Sequence, residues 1–444
     1  MTIRMDEGAA ELLDTLHRAG YAAYVVGGCV RDSLLGLTPH DWDLCTSALP
    51  QQVMELFGAQ RCIPTGLQHG TVTVKQSGAL YEITTFRTEG TYTDGRHPDE
   101  VHFVPDVRED LARRDLTINA MAYNEKEGLV DPFGGQADLQ SGIVRAVGVP
   151  RQRFTEDALR ILRLYRFAAR FGFAIDPPTA QAAQELCAHL DCVSVERIEE
   201  ELAKLLSAPA PAAYLDKKIL LVILPELSSE ALAAAKPVVD ACPAGTEDLP
   251  VRWAALLMSL GEDGTRKALK RLRCSNACIE QTAVLVREVH PGAFSSDTNW
   301  GIPSPTLLPA AAGSHPPDGP QRNSRTGLGQ APAVPDTAIR IRKLLGRYDL
   351  HTVQRLAALG AAMEPERAAD FTAQAELAAQ LDADGVCCRV SQLAVNGRDL
   401  MAAGIPAGPG LRRTLEALLD AVIRGQLPNE RQRLLDAAGQ ISAS

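Results

Sequence analysis

Two aspartates separated by one residue, Asp41 and Asp43, interrupt an apolar stretch in the sequence DWDLCT. A β-strand points alternate side chains to the same face, so a strand here would hold both carboxylates side by side. Two like charges so close together are unfavourable unless a cation neutralises them, and all-oxygen ligands favour Mg²⁺ over Zn²⁺. A solvated edge strand with two surface aspartates has the same pattern, so the spacing alone leaves both interpretations open.

Neighbouring segments favour the metal site. Gly27 and Gly28 follow the apolar run YAAYVV, where a backbone can approach phosphate groups without interference from a Cβ atom. Arg31 lies in the first turn of the helix predicted for VRDSLLG and could donate to the same phosphates. Glu82, in the hairpin GTVTVKQSGALYEITTF, supplies a third carboxylate. A glycine turn and three carboxylates on partner strands are what two-metal phosphoryl or nucleotidyl transfer requires.

The composition indicates a protein of the cytoplasm with several domains. The chain has 444 residues and a formal net charge of −10, which argues against attraction of nucleic acid to the whole surface but permits local basic patches. Its ten cysteines lack the spacing of a zinc site and are expected to be free thiols. No segment reaches the roughly 20 apolar residues that a membrane span needs. We therefore expect no membrane association.

The predicted elements form an α+β head followed by helices. Residues 1–145 mix strand and helix signals, and RRDLTINAMAYN is typical of a helix start. From Gln152 onward strand signals almost disappear, and helical spacing predicts one helix that begins with Thr155 as its cap. The segment 291–335 is rich in Pro, Gly, Ser and Ala without periodicity, which predicts a disordered linker or insertion. Helical patterns resume at Asp336.

Several motifs in the first 205 residues resemble, in order, those of the class II tRNA nucleotidyltransferases, which include bacterial CCA-adding enzymes and poly(A) polymerases. These motifs are GGCVRDSLLG, DWDLCTSALP, EITTFRTEGTYTDGR, RRDLTINAMAYN, DPFGG, EDALRILRLYRFAARFGF and ERIEEEL. The later stretch AVNGRDLMAAGIPAGPGLRRTLEALLDAV resembles the tail of the CCA-adding branch. The resemblance implies a polymerase-β-like nucleotidyltransferase head followed by an all-helical neck, body and tail. The expected boundaries are 1–145 for the head, 146–206 for the neck, 207–290 for the body, 291–335 for the linker and 336–444 for the tail.

The resemblance also implies roles for individual residues of the head. The two aspartates become ligands of Mg²⁺, with the third carboxylate beside them: Asp41, Asp43 and Glu82. The triphosphate would be held by Gly27, Gly28, Arg31 and Asp32. The ribose would be recognised by Arg113, Arg114 and Asp115, with Asn119 as a nearby candidate.

Asp157 and Arg160, three residues apart in EDALR, are predicted to share one face of a helix. A carboxylate can accept from the exocyclic amine of cytosine or adenine, and a guanidinium can donate to the ring acceptors beside it. Uracil and guanine would place a carbonyl oxygen against the carboxylate, which is costly in a desolvated pocket. The pair could thus select CTP and ATP, although an ordinary salt bridge has the same spacing.

Basic residues continue beyond this pair. Arg163 and Arg166 are counted among the nucleotide-binding candidates, and with Arg170 they form a basic stripe. The stripe is either a solvated face or a contact with the RNA end or with ERIEEEL. Two later clusters could hold tRNA phosphates or be plain solvated surface: Arg266, Lys267, Lys270 and Arg271, and Arg340, Arg342 and Lys343.

The expected activity is template-independent addition of C, C and A to the 3′ end of tRNA from CTP and ATP, with no protein partner. Members of the resembled family that add only CC lack the loop after TTFR, so the presence of TEGTYTDGRHPDE argues against such an enzyme. The one His-Asp dipeptide, His40-Asp41, belongs to the metal segment, so no HD phosphohydrolase domain is expected. An A-adding tRNA nucleotidyltransferase, a poly(A) polymerase and a catalytically inactive RNA-binding homologue remain alternatives.

Overall fold

The structure is a computed structural model, and it describes residues 3–90, 100–289 and 334–442. Its strands are β1 (Ala23–Val26), β2 (Leu44–Thr46), β3 (Cys62–Gly66), β4 (Thr71–Gln76), β5 (Ala79–Thr85), β6 (Arg87–Glu89), β7 (Val101–Phe103), β8 (Ala122–Asn124), β9 (Gly128–Val130), β10 (Ile143–Val144) and β11 (Ala174–Ile175). Its first ten helices are α1 (Glu7–Arg18), α2 (Gly28–Leu34), α3 (Pro50–Phe57), α4 (Val107–Ala112), α5 (Gly135–Ser141), α6 (Pro150–Glu156), α7 (Leu159–Phe171), α8 (Pro177–Leu186), α9 (Val195–Leu206) and α10 (Lys217–Ile223). The later helices are α11 (Ser229–Ala241), α12 (Leu249–Leu257), α13 (Gly261–Arg271), α14 (Asn276–Val289), α15 (Asp336–Arg347), α16 (Leu350–Met363), α17 (Ala368–Ala383), α18 (Gly397–Ala402), α19 (Pro409–Ile423) and α20 (Arg431–Ser442).

A seven-stranded sheet with the order β3-β4-β5-β2-β1-β8-β9 supports the N-terminal part of the chain. The pair β2–β5 is parallel, whereas the other neighbouring strands run antiparallel. Strands β4 and β5 form the predicted hairpin, and Ser77 and Gly78 between them both have positive φ, as tight hairpin turns require. The α+β head predicted from the sequence is confirmed.

One face of the sheet is covered by α4 through a small apolar cluster. Val107 and Leu111, one helical turn apart, pack in a buried group with Tyr24, Cys45 and Phe86. This packing brings the end of α4 close to β1 and β2. The chain therefore places the residues that follow α4 beside the turn after β1.

Beyond residue 146, the described chain is helical except for β11, which pairs in parallel with β10. Contacts divide the chain into two compact units. The first comprises Met1–Lys236, Ala244–Leu249 and Ala268–Cys274, and the second comprises Pro237–Pro243, Pro250–Lys267 and Ser275–Ser444. The finer division into head, neck, body and tail remains a prediction.

Several local predictions fall outside the described residues or concern absences. The predicted linker 291–335 lies outside them except for Val334 and Pro335, as does 91–99 in the loop after β6. A helix does begin at Asp336, as expected. No helix in the described ranges has the length and apolar character to cross a membrane. All ten cysteines are free thiols, which confirms that expectation.

The strand predicted over DWDLCT begins later than expected. Strand β2 starts at Leu44, and the two aspartates lie in the segment just before it. The Val26 amide donates to the Asp43 carbonyl at 2.9 Å, and the chain then turns away from the sheet at Gly27. Because β1 ends there, Asp41 has no strand partner on that side, and the ladder stops.

The helix predicted to begin at Thr155 is instead two helices. Helix α6 has Pro150 in its first turn and ends at Glu156, and Asp157 is extended (φ −144°, ψ 107°). Thr155 lies inside α6 and donates to the Arg151 carbonyl rather than capping a helix. Helix α7 follows after this break, so the expectation of one continuous helix was wrong.

The segment RRDLTINAMAYN also differs from the prediction. It was expected to begin a helix, but Arg113 is the residue at which α4 ends. The helix is capped at its start by Asp106, which accepts from the Arg108 amide. After a short 3₁₀ turn at Thr117–Asn119, the chain enters β8.

Candidate active site

The three predicted carboxylates lie near the point where β2 begins and pairs with the middle of β5. Leu44 and Ile83 are register partners in this parallel pair, and both are buried. Their neighbours Asp43 and Glu82 therefore share the opposite face. Asp41, Asp43 and Glu82 are all exposed to solvent, so this face is open to a ligand.

Electrostatic coupling also indicates that the carboxylates are neighbours. Although Asp43 keeps exposed surface, the surrounding protein desolvates its carboxyl group, and the charges of Glu82 and Asp41 add to this effect. Together they raise the pKa of Asp43, and the nearby charge of Arg114 offsets only part of the shift. The site thus carries negative charge that the protein leaves largely uncompensated.

This donor set fits a hard divalent cation. In the ranges that the structure describes, no group of three or more His, Cys, Asp or Glu side chains already has the arrangement of a metal centre. However, three exposed carboxylates close together, one of which has its pKa raised by desolvation and by the charges of the other two, are suited to a cation with oxygen ligands. Asp41, Asp43 and Glu82 would be the residues that hold it.

Beside the carboxylates, the turn from β1 into α2 has a backbone geometry that would let a ligand such as a phosphate come close. Gly27 has φ 78° and ψ −120°, which only glycine adopts readily. A Cβ atom on Gly27 would lie 2.9 Å from Nη1 of Arg114. Arg114 therefore stands directly over the turn, so a phosphate at Gly27 and Gly28 would meet a cation.

Most of the other predicted nucleotide-binding residues belong to one buried polar network. Arg31 donates through Nη1 to Asn119 Oδ1 at 2.5 Å and through Nε to Asp32 Oδ1 at 2.8 Å. Asn119 Nδ2 donates to Asp115 Oδ1 at 3.2 Å, and Arg163 Nε donates to Asp115 Oδ2 at 2.7 Å. The network thus connects helix α2, the 3₁₀ turn after α4 and helix α7, which sequence spacing alone does not bring together.

Asp115 is the charged centre of this network. Burial alone would raise the pKa of its carboxyl group, but the charges of Arg163 and Arg160 outweigh burial. Hydrogen bonds from Arg163 and Asn119 contribute in the same direction, and the pKa falls well below its ordinary range. Asp115 is therefore ionised at any physiological pH and holds Arg163 in place.

The predicted basic stripe of α7 is engaged by acidic partners. Arg166 Nε lies 2.6 Å from Glu201 Oε2, and Arg163 Nη1 lies 3.7 Å from Glu201 Oε1. Arg170 Nη2 donates to Asp32 Oδ2 at 3.2 Å. The contact between the stripe and ERIEEEL, one of the three possibilities considered, is thus present.

Sequence reasoning considered the ERIEEEL segment as a contact but did not single out Glu201 within it. It is buried on α9, where Ile198, Leu202 and Leu205 form the apolar face. A glutamate three residues after Ile198 and four before Leu205 occupies a position that helical spacing assigns to the core. A carboxylate at a position that the helical pattern assigns to the core was the sequence feature that could have identified Glu201.

The structure places Asp157 and Arg160 in the same region but gives each a different partner. Asp157 Oδ2 accepts from Arg197 Nη2 at 2.7 Å, and its Oδ1 accepts from the Leu159 amide at 3.0 Å. Arg160 Nη1 donates to Glu156 Oε2 at 2.7 Å. The ordinary salt bridge between Asp157 and Arg160 is therefore not formed, because Asp157 lies at the break between α6 and α7 and not on one helix face.

Arg113 lies in a cluster whose acidic members sequence reasoning did not single out. Its guanidinium contacts Glu89 at 2.9 Å and Asp110 at 2.8 Å. Its backbone carbonyl accepts from Arg160 Nη2 at 3.2 Å, which connects it to the base-reading candidates. A cavity of about 230 Å³ adjoins this cluster and is lined by Glu89, Arg113, Arg153 and Glu156 among others.

The residues predicted to bind tRNA differ in how they are already engaged. Arg266 pairs with Glu262 and Glu280, and Arg271 pairs with Glu226. Lys343 pairs with Asp420, and Arg342 donates to the Ile423 carbonyl. The structure shows no ion pair between any described residue and the remaining three, which are Lys267, Lys270 and Arg340.

Three family models match separate parts of this chain. Residues 23–145 match the family model of the poly A polymerase head domain, and 348–438 match that of tRNA nucleotidyltransferase domain 2. Residues 172–230 match the RNA- and SrmB-binding site of polymerase A.

Relatives match along the whole chain. The CCA-adding enzyme of Limosilactobacillus fermentum is 36% identical over 441 residues, which cover 98% of this chain and 97% of the relative. That of Geobacillus stearothermophilus is 34% identical and covers 96% of this chain and 95% of its own length.

A solved structure supports the same assignment. The crystal structure of the Bacillus stearothermophilus CCA-adding enzyme in complex with CTP superposes with a TM-score of 0.72 at 29% identity, covering 98% of both chains. The Thermotoga maritima CCA-adding enzyme complexed with tRNA shares the fold at 19% identity, with a TM-score of 0.63. On these matches, and with the carboxylates and glycine turn in place, the chain belongs to the family of the CCA-adding enzymes.

Proposed function

We propose that this protein adds C, C and A to the 3′ end of tRNA, with CTP and ATP as substrates and without a nucleic acid template. The match to CCA-adding enzymes over nearly the full length of both chains carries the proposal. A head domain alone is also found in poly A polymerase, whereas the match at 348–438 is to a tRNA nucleotidyltransferase model. The substrates named for the solved relatives, CTP, ATP and tRNA, support the choice.

The family implies dependence on a divalent metal in general, and we propose Mg²⁺ for this chain. Asp41 and Asp43 would hold it, with Glu82 as the third carboxylate. When bound, the metal supplies positive charge for the reacting phosphate and hydroxyl oxygens. Desolvation and the charges of Glu82 and Asp41 raise the pKa of Asp43, which fits this role because a bound cation would stabilise the ionised carboxylate.

The triphosphate is proposed to lie on the turn after β1. The backbone of Gly27 and Gly28 can approach it closely, and Arg114 stands over Gly27. Arg31 and Asp32 support the turn from α2 through their mutual contact. Arg113, Arg114, Asp115 and Asn119 are proposed to recognise the ribose, since they follow α4 and lie in or beside the same polar network.

Base selection is proposed for Asp157 and Arg160. Arg197 holds one oxygen of the Asp157 carboxylate, and Glu156 holds the Arg160 guanidinium, so both groups have fixed orientations. A fixed acceptor and a fixed donor can distinguish an exocyclic amine from a carbonyl oxygen. Arg163 and Arg166 extend this site along α7, where Glu201 holds them.

The tRNA is proposed to contact the helical regions after the head. The residues proposed for its phosphates are Arg266, Lys267, Lys270, Arg271, Arg340, Arg342 and Lys343. The proposed division is head 1–145, neck 146–206, body 207–290, linker 291–335 and tail 336–444. We also propose a cytoplasmic location, which the ten free thiols favour.

Nucleotide incorporation tests the proposed activity. Purified protein with MgCl₂ is given a tRNA that ends before CCA, with each of the four NTPs alone and with CTP and ATP together. We expect incorporation from CTP alone and from CTP with ATP, and none from UTP or GTP. Asp41→Ala and Asp43→Ala should abolish incorporation while tRNA binding in a gel shift persists. Incorporation near the wild-type level by either variant would contradict the metal assignment.

A further inference from the structure

Asp110 is a fully buried carboxylate on α4, with none of its side chain exposed to solvent. It is buried because Val107 and Leu111, on either side of it in the sequence, pack α4 into the apolar cluster of the sheet. A buried carboxylate is costly unless cations and hydrogen-bond donors surround it. Its partners therefore indicate what it does for the protein.

The two oxygens of Asp110 have different surroundings. Oδ1 accepts from Arg113 Nε at 3.0 Å, from Arg113 Nη2 at 2.8 Å and from the Arg87 amide at 3.3 Å. Oδ2 is buried and has no hydrogen-bond partner among the described residues. The cation that faces Oδ2 is the guanidinium of Arg114, whose Nη2 lies 3.6 Å away.

Of the two arginines beside Asp110, Arg114 is the one without a second acidic partner among the described residues. Arg113 also pairs with Glu89, whereas the ion pair with Asp110 is the one that the described residues give Arg114. One side of the Arg114 guanidinium faces Asp110, and Nη1 on the other side stands over Gly27. Arg114 is also close enough to Asp43 for its charge to lower the pKa of that carboxyl group.

We propose that Asp110 is a positioning residue for nucleotide binding, which acts by holding Arg114 between α4 and the turn at Gly27. This inference rests on the proposed function, because it assigns the turn to a nucleotide triphosphate. A long arginine side chain loses conformational freedom when it binds a phosphate, and a buried anion behind it removes that cost beforehand. Asp110 also keeps Arg114 from moving fully onto Asp43, so the metal-binding carboxylates stay available.

The test is a double-mutant cycle on nucleotide affinity. The dissociation constant for CTP in MgCl₂ is measured by calorimetry for wild type, Asp110→Asn, Arg114→Ala and the double variant. Asp110→Asn keeps the shape of the side chain and removes its charge. We expect it to weaken CTP binding roughly ten- to a hundredfold in wild type but less than twofold when Arg114 is already alanine.

A control on the same helix separates positioning from folding. Asp106→Ala removes the N-cap of α4 without touching Arg113 or Arg114, so it should lower the melting temperature and leave CTP affinity within about twofold. If Asp110→Asn does not melt cooperatively, Asp110→Glu replaces it. It keeps the charge but shifts it by one methylene, and it should also weaken CTP binding.

Two results would overturn the proposal. One is unchanged CTP affinity in a folded Asp110 variant that only melts earlier, and the other is an equal loss of affinity with and without Arg114. The readout is binding, so it does not depend on CCA addition. Wild-type protein that binds CTP but does not extend tRNA would contradict the proposed function and leave the role of Asp110 testable.

Discussion

At the scale of single residues, the carboxylates of the candidate active site lower the stability of the folded protein when no cation is bound. The pKa of Asp43 is raised by desolvation and by the charges of Glu82 and Asp41, which means that ionisation of Asp43 costs folding free energy. A carboxylate that is unfavourable alone becomes favourable when a cation binds. The same groups that reduce stability therefore favour metal binding.

Replacing Asp43 should reveal this cost. A raised pKa in the folded state gives stability that is full at low pH and lost as the pH rises through that pKa. In EDTA at neutral pH, Asp43→Asn should therefore melt at a higher temperature than wild type. The difference should vanish as the pH falls below 3.8, the ordinary pKa of the carboxyl group. Thermal melts between pH 3 and 8 measure this.

Two controls accompany that experiment. MgCl₂ should raise the melting temperature of wild type more than that of Asp43→Asn. Asp14→Asn should show no gain at neutral pH, because the hydrogen bond from Arg18 lowers the pKa of Asp14. A wild type that is more stable than Asp43→Asn in EDTA at neutral pH would contradict the assignment.

Asp157 should govern base discrimination. Asp157→Ala removes the acceptor for the amine of CTP or ATP and also the repulsion of a carbonyl, so UTP and GTP should become relatively better substrates. A hydrogen bond of this kind is worth roughly 1–3 kcal/mol, which is about one to two decades in selectivity. The measurement is kcat/KM for all four NTPs on a tRNA ending in CC.

Asp157→Asn is the matched variant for the structural part of that effect. Asp157 also accepts from the Leu159 amide at the start of α7, and an asparagine keeps that acceptor. The asparagine variant should therefore keep the melting temperature but lose discrimination against UTP. An equal fall in kcat/KM for ATP and UTP in both variants would mean that Asp157 only orders the helix.

At the scale of elements, the sequence predicted structure that depends on local patterns but not structure that depends on contacts between distant parts of the chain. The hairpin β4–β5 follows from alternation and a Ser-Gly turn, which are both local signals. The break between α6 and α7 was missed, because Asp157 is held extended by Arg197, 40 residues further along the chain. The members of the polar network around Asp115 were predicted one by one, but their contacts with each other were not. No sequence spacing reveals that Arg163 contacts Asp115, which lies 48 residues earlier.

The turn at Gly27 gives a test at this scale. An alanine there must adopt φ 78° with ψ −120°, a sparsely populated region that costs roughly 1–3 kcal/mol, and its Cβ would also displace Arg114. Gly36→Ala is a matched control, because Gly36 has φ 72° but its Cβ would meet no atom within 4 Å. Gly27→Ala should weaken CTP binding, whereas Gly36→Ala should only lower the melting temperature. Similar CTP affinities for both would contradict a role of the turn in binding.

At the scale of the whole molecule, tRNA binding has to come from local basic surface, because the chain has a formal net charge of −10. Lys267 and Lys270 are exposed on α13 and have no ion pair with a described residue. Arg266 on the same helix is already engaged by Glu262 and Glu280. A lysine without an acidic partner can neutralise a phosphate and release its counterions directly, whereas Arg266 would first have to leave its two glutamates.

Neutralising the unpaired lysines should therefore weaken tRNA binding more than neutralising the paired arginine. Lys267→Ala with Lys270→Ala should lower tRNA affinity, and the slope of log affinity against log salt concentration should fall by about one for each phosphate that the variant no longer binds. Arg266→Ala should change both quantities less. Binding curves at several salt concentrations measure this, and an unchanged slope in the lysine variant would place the tRNA elsewhere.

The most direct test of the central claim is the length of the RNA product. Purified protein with MgCl₂, CTP and ATP is given three versions of one tRNA, which end before CCA, in C or in CC. An unstructured RNA serves as a fourth, separate substrate. We predict that all three tRNAs reach one product length, that ATP alone extends only the CC substrate, and that the unstructured RNA is not tailed. Extension of the CC substrate alone would favour an A-adding enzyme. Long adenosine tails on the unstructured RNA would mean a poly(A) polymerase, and no extension of any substrate would contradict catalysis by this chain.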